Sequence, residues 1–297
     1  MDLVSKVHHL PQPGETIVGT SFHLHPGGKG ANQAVAVARL GHPSVLLGKI
    51  GSDTFGQELI EKLRSYGVET QYIGMSTGSS GTATILVDDA GENCIVVAAG
   101  ANLEVTPQYL SEKMDVLRSA GMILVQLEIP LSTVEWLAAM CEDLAIPLVL
   151  DPAPARSLSP SLLSHVAWFT PNETEANFYV QNTSGENGVV SRLKMLGIRN
   201  VILKRGSKGA LLAGTDGTQH RIEAFPVDAL DSTAAGDAFN GAFAVGMQRG
   251  YTPVESARFA AAAAAISVTR HGAQSSLPTG EEIDKLLRPH GIIFSPS

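Results

Sequence analysis

The segment Asp231-Ser-Thr-Ala-Ala-Gly-Asp-Ala-Phe-Asn-Gly-Ala-Phe243 places small residues directly before a run of aromatic and small side chains that is typical of a buried helix. A helix that starts in this way presents unpaired N–H groups and the positive end of its dipole, and both bind phosphoryl oxygens. Asp237 falls in the first helical turn, where we expect it to stay ionised. A carboxylate there can accept the proton of a substrate hydroxyl while the amides hold a phosphoryl group. The simpler alternative is that Asp237 only complements the helix dipole.

A second glycine-rich segment, His25-Pro-Gly-Gly-Lys-Gly-Ala-Asn-Gln-Ala34, opens the first strong helix. It is not a dinucleotide-binding fingerprint, because Gln33 stands where the third glycine belongs. It is not a Walker A loop either, because Gly30 follows Lys29 where that loop requires Ser or Thr. Lys29 and Asn32 lie one turn apart on one helix face, which suits recognition of hydroxyl or carbonyl groups. The alternative is a tight turn before a helix.

Two further segments favour a nucleotide site but also have simpler interpretations. In Thr170-Pro-Asn-Glu-Thr-Glu175, Asn172 and Glu175 have the spacing of a helix capping box. In the functional interpretation, Asn172 contacts a nucleotide and Glu175 arranges water around a phosphate-bound cation. Lys204-Arg-Gly-Ser-Lys-Gly209 lies between two predicted strands and is either a plain hairpin turn or a loop at the edge of a nucleotide.

From residue 45 onward, short β-branched runs alternate with segments of helical period, which predicts an α/β protein with a mainly parallel sheet flanked by helices. Thr106-Pro107 and Thr252-Pro253 each place a hydroxyl cap before a proline and predict helix starts. Residues 182–187 are predicted to form an exposed loop. Helix ends are predicted at Gly41, Gly67 and Gly197. The predicted strands are 45–50, 122–127, 148–150, 168–170, 201–204 and 209–213.

Two regions depart from this alternation of strands and helices. Residues 82–87 and 93–98 have a period of two on either side of a turn, which predicts a hairpin. Residues 1–25 have a similar alternating character. We therefore expect a small antiparallel β lid from residues 1–25 and 82–98, on an α/β body of residues 26–81 and 99–297. A flap on an α/β body usually covers a ligand cleft.

The composition excludes several classes of protein. The 297 residues are 44% hydrophobic and 17% charged, which is too apolar for a disordered chain. A net charge of −8 without a local Lys/Arg cluster argues against nucleic-acid binding. The longest apolar run, residues 259–268, is too short to span a membrane. Cys94 and Cys141 have neither a disulfide nor a zinc-site spacing, which favours a reduced, cytoplasmic setting. Four histidines lack the spacing of a metal pair and are interpreted as surface residues: His8, His9, His23 and His25.

These segments together resemble the signatures of the ribokinase-like (PfkB) family of sugar and nucleoside kinases. Residues 27–34 resemble the family's first signature and residues 231–241 its second, in the right order. Gln126-Leu-Glu128, Asp151-Pro-Ala-Pro-Ala155 and Arg270-His-Gly-Ala-Gln-Ser-Ser276 resemble shorter strings of the family. The resemblance covers essentially the whole chain, and it implies a ribokinase-like fold with a kinase body and a β lid.

The resemblance also implies a role for each matching residue. Asp237 would be the catalytic base, and the amides of Ala235, Gly236 and Asp237 would form an anion hole for ATP. The sugar hydroxyls would meet Asp2, Gly28, Lys29, Gly30, Ala31, Asn32 and Glu128. The nucleotide would meet Asn172, Lys204, Arg205, Gly206, Ser207, Lys208, Gly209 and Ala261. Magnesium would be bound through water near Glu175. Potassium would lie between Asp231, Thr233, Ser267, Arg270, Gly272 and Ser276.

The activity that this resemblance implies is ATP-dependent phosphorylation of D-ribose at O5 to ribose 5-phosphate. We expect Mg²⁺ and K⁺ as cofactors and a homodimer formed through the lids. The alternatives are a kinase of another sugar or a nucleoside, such as deoxyribose, fructose or adenosine, and an inactive sugar- or nucleotide-binding protein. The presence of Asp237 argues against the last, because a binding protein needs no base there.

The chain departs from the family pattern at three places. The family begins with an apolar strand that ends in Gly-Ser-x-Asn-x-Asp, and Met1-Asp2 matches only the last two positions. We therefore expect the first strand of the body to lie upstream of Met1. Lys204-Arg205 stands where members usually have Thr-Leu, and Ala235 replaces a more common glycine.

Overall fold

The computed structural model describes residues 1–180 and 185–292 as alternating strands and helices. The strands are β1 (Asp2–Lys6), β2 (Ser21–His25), β3 (Lys49–Gly51), β4 (Gly74–Ser76), β5 (Thr82–Val87), β6 (Asn93–Ala98), β7 (Ile123–Val125), β8 (Leu148–Leu150), β9 (Trp168–Phe169), β10 (Val201–Lys204), β11 (Ala210–Ala213) and β12 (Gln219–Ile222). The helices are α1 (Lys29–Arg39), α2 (Thr54–Ser65), α3 (Pro107–Ser111), α4 (Met114–Ser119), α5 (Leu131–Asp143), α6 (Pro160–His165), α7 (Glu173–Tyr179), α8 (Glu186–Met195), α9 (Ala235–Gln248), α10 (Pro253–Ser267) and α11 (Gly280–Leu287). Short 3₁₀ helices cover Gly100–Glu104, Gly206–Lys208 and Arg288–His290.

The central sheet has six strands in the order β12-β11-β10-β9-β8-β7. Strands β7 to β10 run parallel, whereas β10, β11 and β12 pair antiparallel. The predicted mainly parallel sheet is therefore confirmed. The predicted strand 45–50 is shorter, because Val45 forms only an isolated bridge to Glu69 before β3 begins. Parallel pairing puts the carboxyl ends of β7 to β10 at one edge of the sheet, where ligands bind in open α/β folds.

A second sheet has the order β2-β1-β5-β6 and is built from the two segments predicted as the lid. The predicted hairpin is confirmed, since Thr82 pairs with Ala98 and Val87 with Asn93. The sheet is not wholly antiparallel as expected, because β1 pairs with β5 in parallel, Asp2 opposite Ala83. The other two strand pairs of this sheet are antiparallel, so the sheet is mixed. The division into a body and a lid stays a prediction.

Helices α1 and α9 carry the two glycine-rich signature segments and pack directly against each other. A Cβ atom built on Gly241 of α9 would lie 2.6 Å from the Cβ of Ala36 on α1, which is closer than side-chain atoms approach. The contact therefore requires glycine at position 241. It brings the first turns of both helices to the same end of the molecule.

Helix boundaries follow the predicted capping signals. The hydroxyl of Thr106 accepts a hydrogen bond from the N–H of Tyr109 at 3.2 Å, and that of Thr252 accepts one from Glu255 at 3.3 Å. The predicted terminal glycines Gly41, Gly67 and Gly197 all have positive φ. Within the loop predicted at 182–187, residues 182–184 lie outside the described residues, whereas residues 186 and 187 belong to α8. No helix of the described ranges is both long and apolar enough to cross a bilayer.

A cavity of about 710 Å³ is lined by β7, β3 and the helices around them, and we call it the β7–β3 cavity. Its lining is mainly apolar and includes Leu46, Ile50, Leu124, Ala244 and Val245. In the described part of the chain, β7 ends the central sheet and β3 pairs only with β4, so each keeps one edge without a strand partner. The strand expected upstream of Met1 stays a prediction.

Candidate active site

The first turn of α9 presents Asp237 together with backbone N–H groups. Ala234 precedes the helix at φ +59°, which turns the chain sharply into it. Within the described ranges, the N–H groups of Gly236 and Asp237 have no hydrogen-bond acceptor. The N–H of Ala235 instead donates to Ser232 O at 3.2 Å. Of the three amides expected in the anion hole, the structure thus leaves two unpaired and commits the third to the turn.

The carboxylate of Asp237 is buried, 5% exposed, and accepts two side-chain hydrogen bonds. Asn32 Nδ2 donates to Asp237 Oδ2 at 2.9 Å, and Gln33 Nε2 donates to Asp237 Oδ1 at 3.0 Å. The side-chain oxygen of Asn32, Oδ1, is buried and has no hydrogen-bond partner in the described part of the chain. A buried acceptor of this kind suits a hydroxyl donor from a ligand.

Burial raises the pKa of Asp237 to about 6, whereas the charge of Lys29 lowers it and the charge of Asp151 raises it further. At neutral pH a carboxyl with this pKa is mainly ionised, as the sequence predicts for Asp237. Loss of hydration is the largest cause of the raised pKa, so the carboxylate is ionised above about pH 6 and protonated below it. A general base with such a pKa is close to the optimum for proton transfer near neutral pH.

Asp151 follows β8 at the carboxyl edge of the central sheet and connects Asp237 to Lys204. Gln33 Nε2 donates to Asp151 Oδ2 at 3.0 Å as well as to Asp237 Oδ1. Lys204 Nζ donates to Asp151 Oδ1 at 3.1 Å. We call these five residues the base cluster: Asn32, Gln33, Asp151, Lys204 and Asp237. Sequence reasoning assigned no role to Gln33 or Asp151; the signal available was that a polar residue follows a buried parallel strand.

The residues expected to bind the sugar lie around the start of α1. The backbone N–H of Lys29 donates to Glu128 Oε2 at 2.9 Å, and burial raises the pKa of the Glu128 carboxyl. A Cβ atom on Gly27 would overlap the carboxylate of Asp2, whose pKa burial also raises. Gly28 has φ +93°, which favours glycine, and Gly30 and Ala31 follow in the first turn of α1. Carboxylates, amide groups and exposed backbone thus surround a space suited to hydroxyl groups.

Several residues expected to bind the nucleotide lie around the end of β10, where Lys204 joins the base cluster. The hairpin turn between β10 and β11 is the 3₁₀ helix of Gly206, Ser207 and Lys208, and Gly209 follows at φ +78°. Asn172 forms a bridge beside Lys204, and Asn172 and Glu175 also form the predicted capping box. Ala261 is a buried residue of α10. Both interpretations of segment 170–175 are therefore geometrically compatible.

Arg205 differs from its neighbours in this loop. Its guanidinium is buried, pairs with Glu186 of α8, and donates to Lys208 O at 2.7 Å. The expected contact of Arg205 with a nucleotide stays a prediction, and the contacts with Glu186 and Lys208 already use both terminal nitrogens of the guanidinium. The guanidinium stabilises the backbone of the loop.

The residues expected to hold potassium lie around Asp231, which precedes α9. Its Oδ1 accepts the N–H of Thr233 and its Oδ2 accepts the N–H of Gly272, both at 2.9 Å. Ser267 and Ser276 are fully buried, and the guanidinium of Arg270 is directed to Glu282. A buried Gln274 side chain nearby in the chain has no partner for its amide oxygen in the described residues. This oxygen-rich set fits a hard cation.

Magnesium has a different candidate ligand. Glu175 uses one carboxylate oxygen to accept the N–H of Asn172 at 2.8 Å, which leaves the other for water or a cation. Burial raises the pKa of this carboxyl, while nearby Lys204 lowers it. In the described ranges no three His, Cys, Asp or Glu side chains form a closed metal cluster. A cation near Glu175 would therefore need further ligands from phosphate or water, which is the usual coordination of Mg²⁺.

Comparisons with known proteins find relatives that are similar over nearly the whole chain. The curated ribokinase of Bacillus subtilis (strain 168) is 41% identical over 292 residues, covering 97% of this chain and 96% of that protein. The deoxyribokinase of Salmonella typhi is 37% identical over 295 residues, covering 97% and 95%. The solved structure of Arabidopsis thaliana ribokinase complexed with ribose and ATP has a TM-score of 0.91 at 32% identity, covering 99% and 96%. The model of the pfkB family carbohydrate kinases matches residues 1–280, and the chain belongs to this family.

Proposed function

We propose that this chain transfers the γ-phosphoryl group of ATP to O5 of D-ribose, which forms ribose 5-phosphate and ADP. The observation that carries the proposal is the buried Asp237 carboxylate beside the two unpaired N–H groups of Gly236 and Asp237. The similarity to curated ribokinases over nearly the whole chain supports ribose as the sugar.

In this proposal, the proton and the phosphoryl group go to adjacent groups of α9, which the position of Asp237 beside the two unpaired N–H groups supports. Above about pH 6 the Asp237 carboxylate is ionised and can accept the proton of the sugar hydroxyl. The hydroxyl oxygen then bonds to the γ-phosphorus as the bond to the leaving ADP breaks. The N–H groups of Gly236 and Asp237 stabilise the charge on the phosphoryl oxygens, which is the main task of the protein in such a transfer.

The sugar side and the nucleotide side flank this reaction centre. The unpaired oxygen of Asn32, the carboxylate of Asp2 and the second carboxylate oxygen of Glu128 accept hydrogen bonds from sugar hydroxyls, and the ammonium of Lys29 donates. The backbone N–H of Lys29 already donates to Glu128 Oε2. The loop 206–209 and Asn172 bind the nucleotide. Positioning of both substrates accounts for much of the rate enhancement in reactions of this kind.

Two cations complete the proposed site. Mg²⁺ enters with ATP near Glu175, and K⁺ is held by the oxygen-rich loops around Asp231 and Gly272. Bound Mg²⁺ supplies neutralisation of the phosphate charge. If K⁺ orders these loops, then exchange of K⁺ for tetramethylammonium lowers kcat at saturating Mg²⁺ and ATP.

The lid sheet has an exposed apolar surface that favours a homodimer. Strand β6 is exposed along its length, and Ile95 and Val97, which are 53% and 68% exposed, point to the same face of the sheet. Such a patch usually marks an interaction site. We expect sedimentation velocity to show a dimer and Val97→Lys to shift it to monomer, with Gln219→Lys at an exposed position of β12 as a control of the same charge change. An unchanged mass for Val97→Lys contradicts this assembly.

The free Cys94 and Cys141 are compatible with a reducing, cytoplasmic setting.

The decisive test is a coupled ADP-release assay with ribose, deoxyribose, fructose and adenosine, each with and without K⁺. We expect the highest kcat/KM for ribose. Deoxyribose is the second candidate, because a deoxyribokinase is among the relatives at 37% identity. A higher kcat/KM for deoxyribose would overturn the ribose assignment, and no turnover of any of the four would favour a binding protein.

A further inference from the structure

Lys204 ends strand β10, and its side chain reaches into the base cluster. Its Nζ lies 3.1 Å from Asp151 Oδ1, and the two side chains are 13% and 5% exposed. Its backbone N–H donates to Pro171 O at 2.8 Å, and the residue bridges to Asn172. The strand and a buried carboxylate therefore hold the ammonium in a defined place.

The ammonium also stands over the first turn of α9. A Cβ atom built on Gly236 would lie 3.3 Å from Lys204 Nζ. Gly236 and Asp237 carry the two N–H groups without acceptors in the described ranges. A cation beside a helix N-terminus is unfavourable, because the helix end is itself positive. The arrangement becomes favourable once an anion lies between the ammonium and the two amides.

The hydrogen-bonding capacity of the ammonium points in the same direction. An ammonium group has three N–H donors. Among the described residues, Asp151 is its one hydrogen-bond acceptor. Two donors are left for a ligand at a place where water has limited access, and phosphoryl oxygens can accept both.

We propose that Lys204 is a catalytic residue that contacts the phosphoryl group during its transfer from nucleotide to sugar. This inference rests on the proposed function. In the step, the bond from the sugar O5 to the γ-phosphorus forms. The bond from that phosphorus to the oxygen of the β-phosphate breaks, its electron pair leaves with ADP, and the hydroxyl proton passes to Asp237. Lys204 stabilises the charge on the phosphoryl oxygens together with the two α9 amides.

The competing explanation is that Lys204 only neutralises the buried Asp151. A buried carboxylate without a partner is costly, so this role alone would make Lys204 important for stability. The two roles differ in what happens when Asp151 is also made neutral. A purely neutralising lysine becomes dispensable in that background, whereas a lysine that contacts phosphate does not.

Nucleotide binding without sugar tests the contact directly. We expect Lys204→Met to lower the affinity for the ATP analogue AMP-PNP, measured by titration calorimetry with Mg²⁺, by about 10- to 100-fold. The affinity for AMP, which lacks the transferred group, changes by less than about threefold. Lys204→Arg recovers part of the loss because it keeps the charge. Lys62→Met, at an exposed lysine of α2, changes neither affinity.

The same measurement in the Asp151→Asn background separates the two roles. We expect Lys204→Met to lower AMP-PNP affinity by about tenfold or more in this background as well. Thermal unfolding of the double variant confirms that it is folded. Equal AMP-PNP affinities of Asp151→Asn and the double variant would overturn the proposal.

Steady-state kinetics then place the effect on the chemical step. We expect Lys204→Met to lower kcat for ribose by about 100-fold, with KM for ribose within about threefold of the original value. An unchanged kcat would overturn the catalytic role. If the original chain turns over no sugar, the proposed function fails, but the AMP-PNP titrations still decide whether Lys204 contacts phosphate.

Discussion

The base cluster and the β7–β3 cavity are bounded by the same two helices, yet they are built in opposite ways. In the base cluster, every carboxylate oxygen of Asp151 and Asp237 accepts a hydrogen bond from a side chain. In the cavity, mainly apolar side chains such as Ala244 and Val245 surround about 710 Å³ of space, and Gln33 of the base cluster lines one part of it. The first turns of α1 and α9 carry the chemistry, and their later turns carry packing. Substitutions in the first turns should therefore change rate, and those in the later turns should change stability.

Removal of the base should give the largest effect. We expect Asp237→Asn to lower kcat about 1000-fold, because general base catalysis contributes roughly this much. The Kd for ribose, measured by calorimetry, should change by less than about threefold because the amide keeps the shape of the group. Asp284→Asn on α11, an exposed position, is the matched control. A kcat within tenfold of the original value would remove Asp237 from the mechanism and break the comparison.

The pH dependence of kcat/KM should come next in size. The active form of Asp237 is the carboxylate, and burial raises its pKa from 3.8 to about 6. Activity should therefore rise about tenfold per pH unit below pH 6 and level off above it. Because the charge of Asp151 contributes to the raised pKa, Asp151→Asn should move this limb to lower pH. A profile that is flat from pH 5 to 8 would show an unperturbed carboxylate.

The position of Asp237 in the first turn of α9 could be predicted from the sequence, because small residues precede it at a helix start. Its role as the base stays a prediction. The residues that form hydrogen bonds within the base cluster could not be predicted from the sequence. Gln33 lies 204 positions before its hydrogen-bond partner Asp237, and Asp151 lies 118 positions after its partner Gln33. A single sequence carries no signal for contacts between such distant residues. The pairing of Arg205 with Glu186 could not be predicted for the same reason, since it depends on where α8 packs.

The packing half of the comparison can be tested at two alanines of α9. Ala244→Leu places three carbons into the β7–β3 cavity, and we expect it to raise the free energy of unfolding by about 1–2 kcal/mol. Ala242→Leu, at a fully buried position that does not line the cavity, should lower it by about 1–3 kcal/mol through overpacking. Urea unfolding measures both. Two changes of the same sign would mean that the cavity is not open to a side chain.

The smallest effect concerns the turn into α9. Ala234 has φ +59°, a left-handed conformation that costs a non-glycine residue about 1 kcal/mol. We expect Ala234→Gly to raise the free energy of unfolding by up to about 1 kcal/mol. Ala145, at φ +53° away from the base cluster, is the matched position, and Ala145→Gly should give a similar gain. If only Ala145→Gly stabilises, interactions specific to the first turn of α9 already compensate for the strain at Ala234.

Glycine at position 241 limits which substitutions the enzyme tolerates there, because any side chain would meet α1. The amide groups of Asn32 and Gln33 reach Asp237 across the gap between α1 and α9, and the Gly241–Ala36 contact sets the width of that gap. A single added methyl group would wedge the helices apart and lengthen both hydrogen bonds at once. A deep mutational screen for growth on the sugar should therefore find position 241 as intolerant as the residues that touch the reactants.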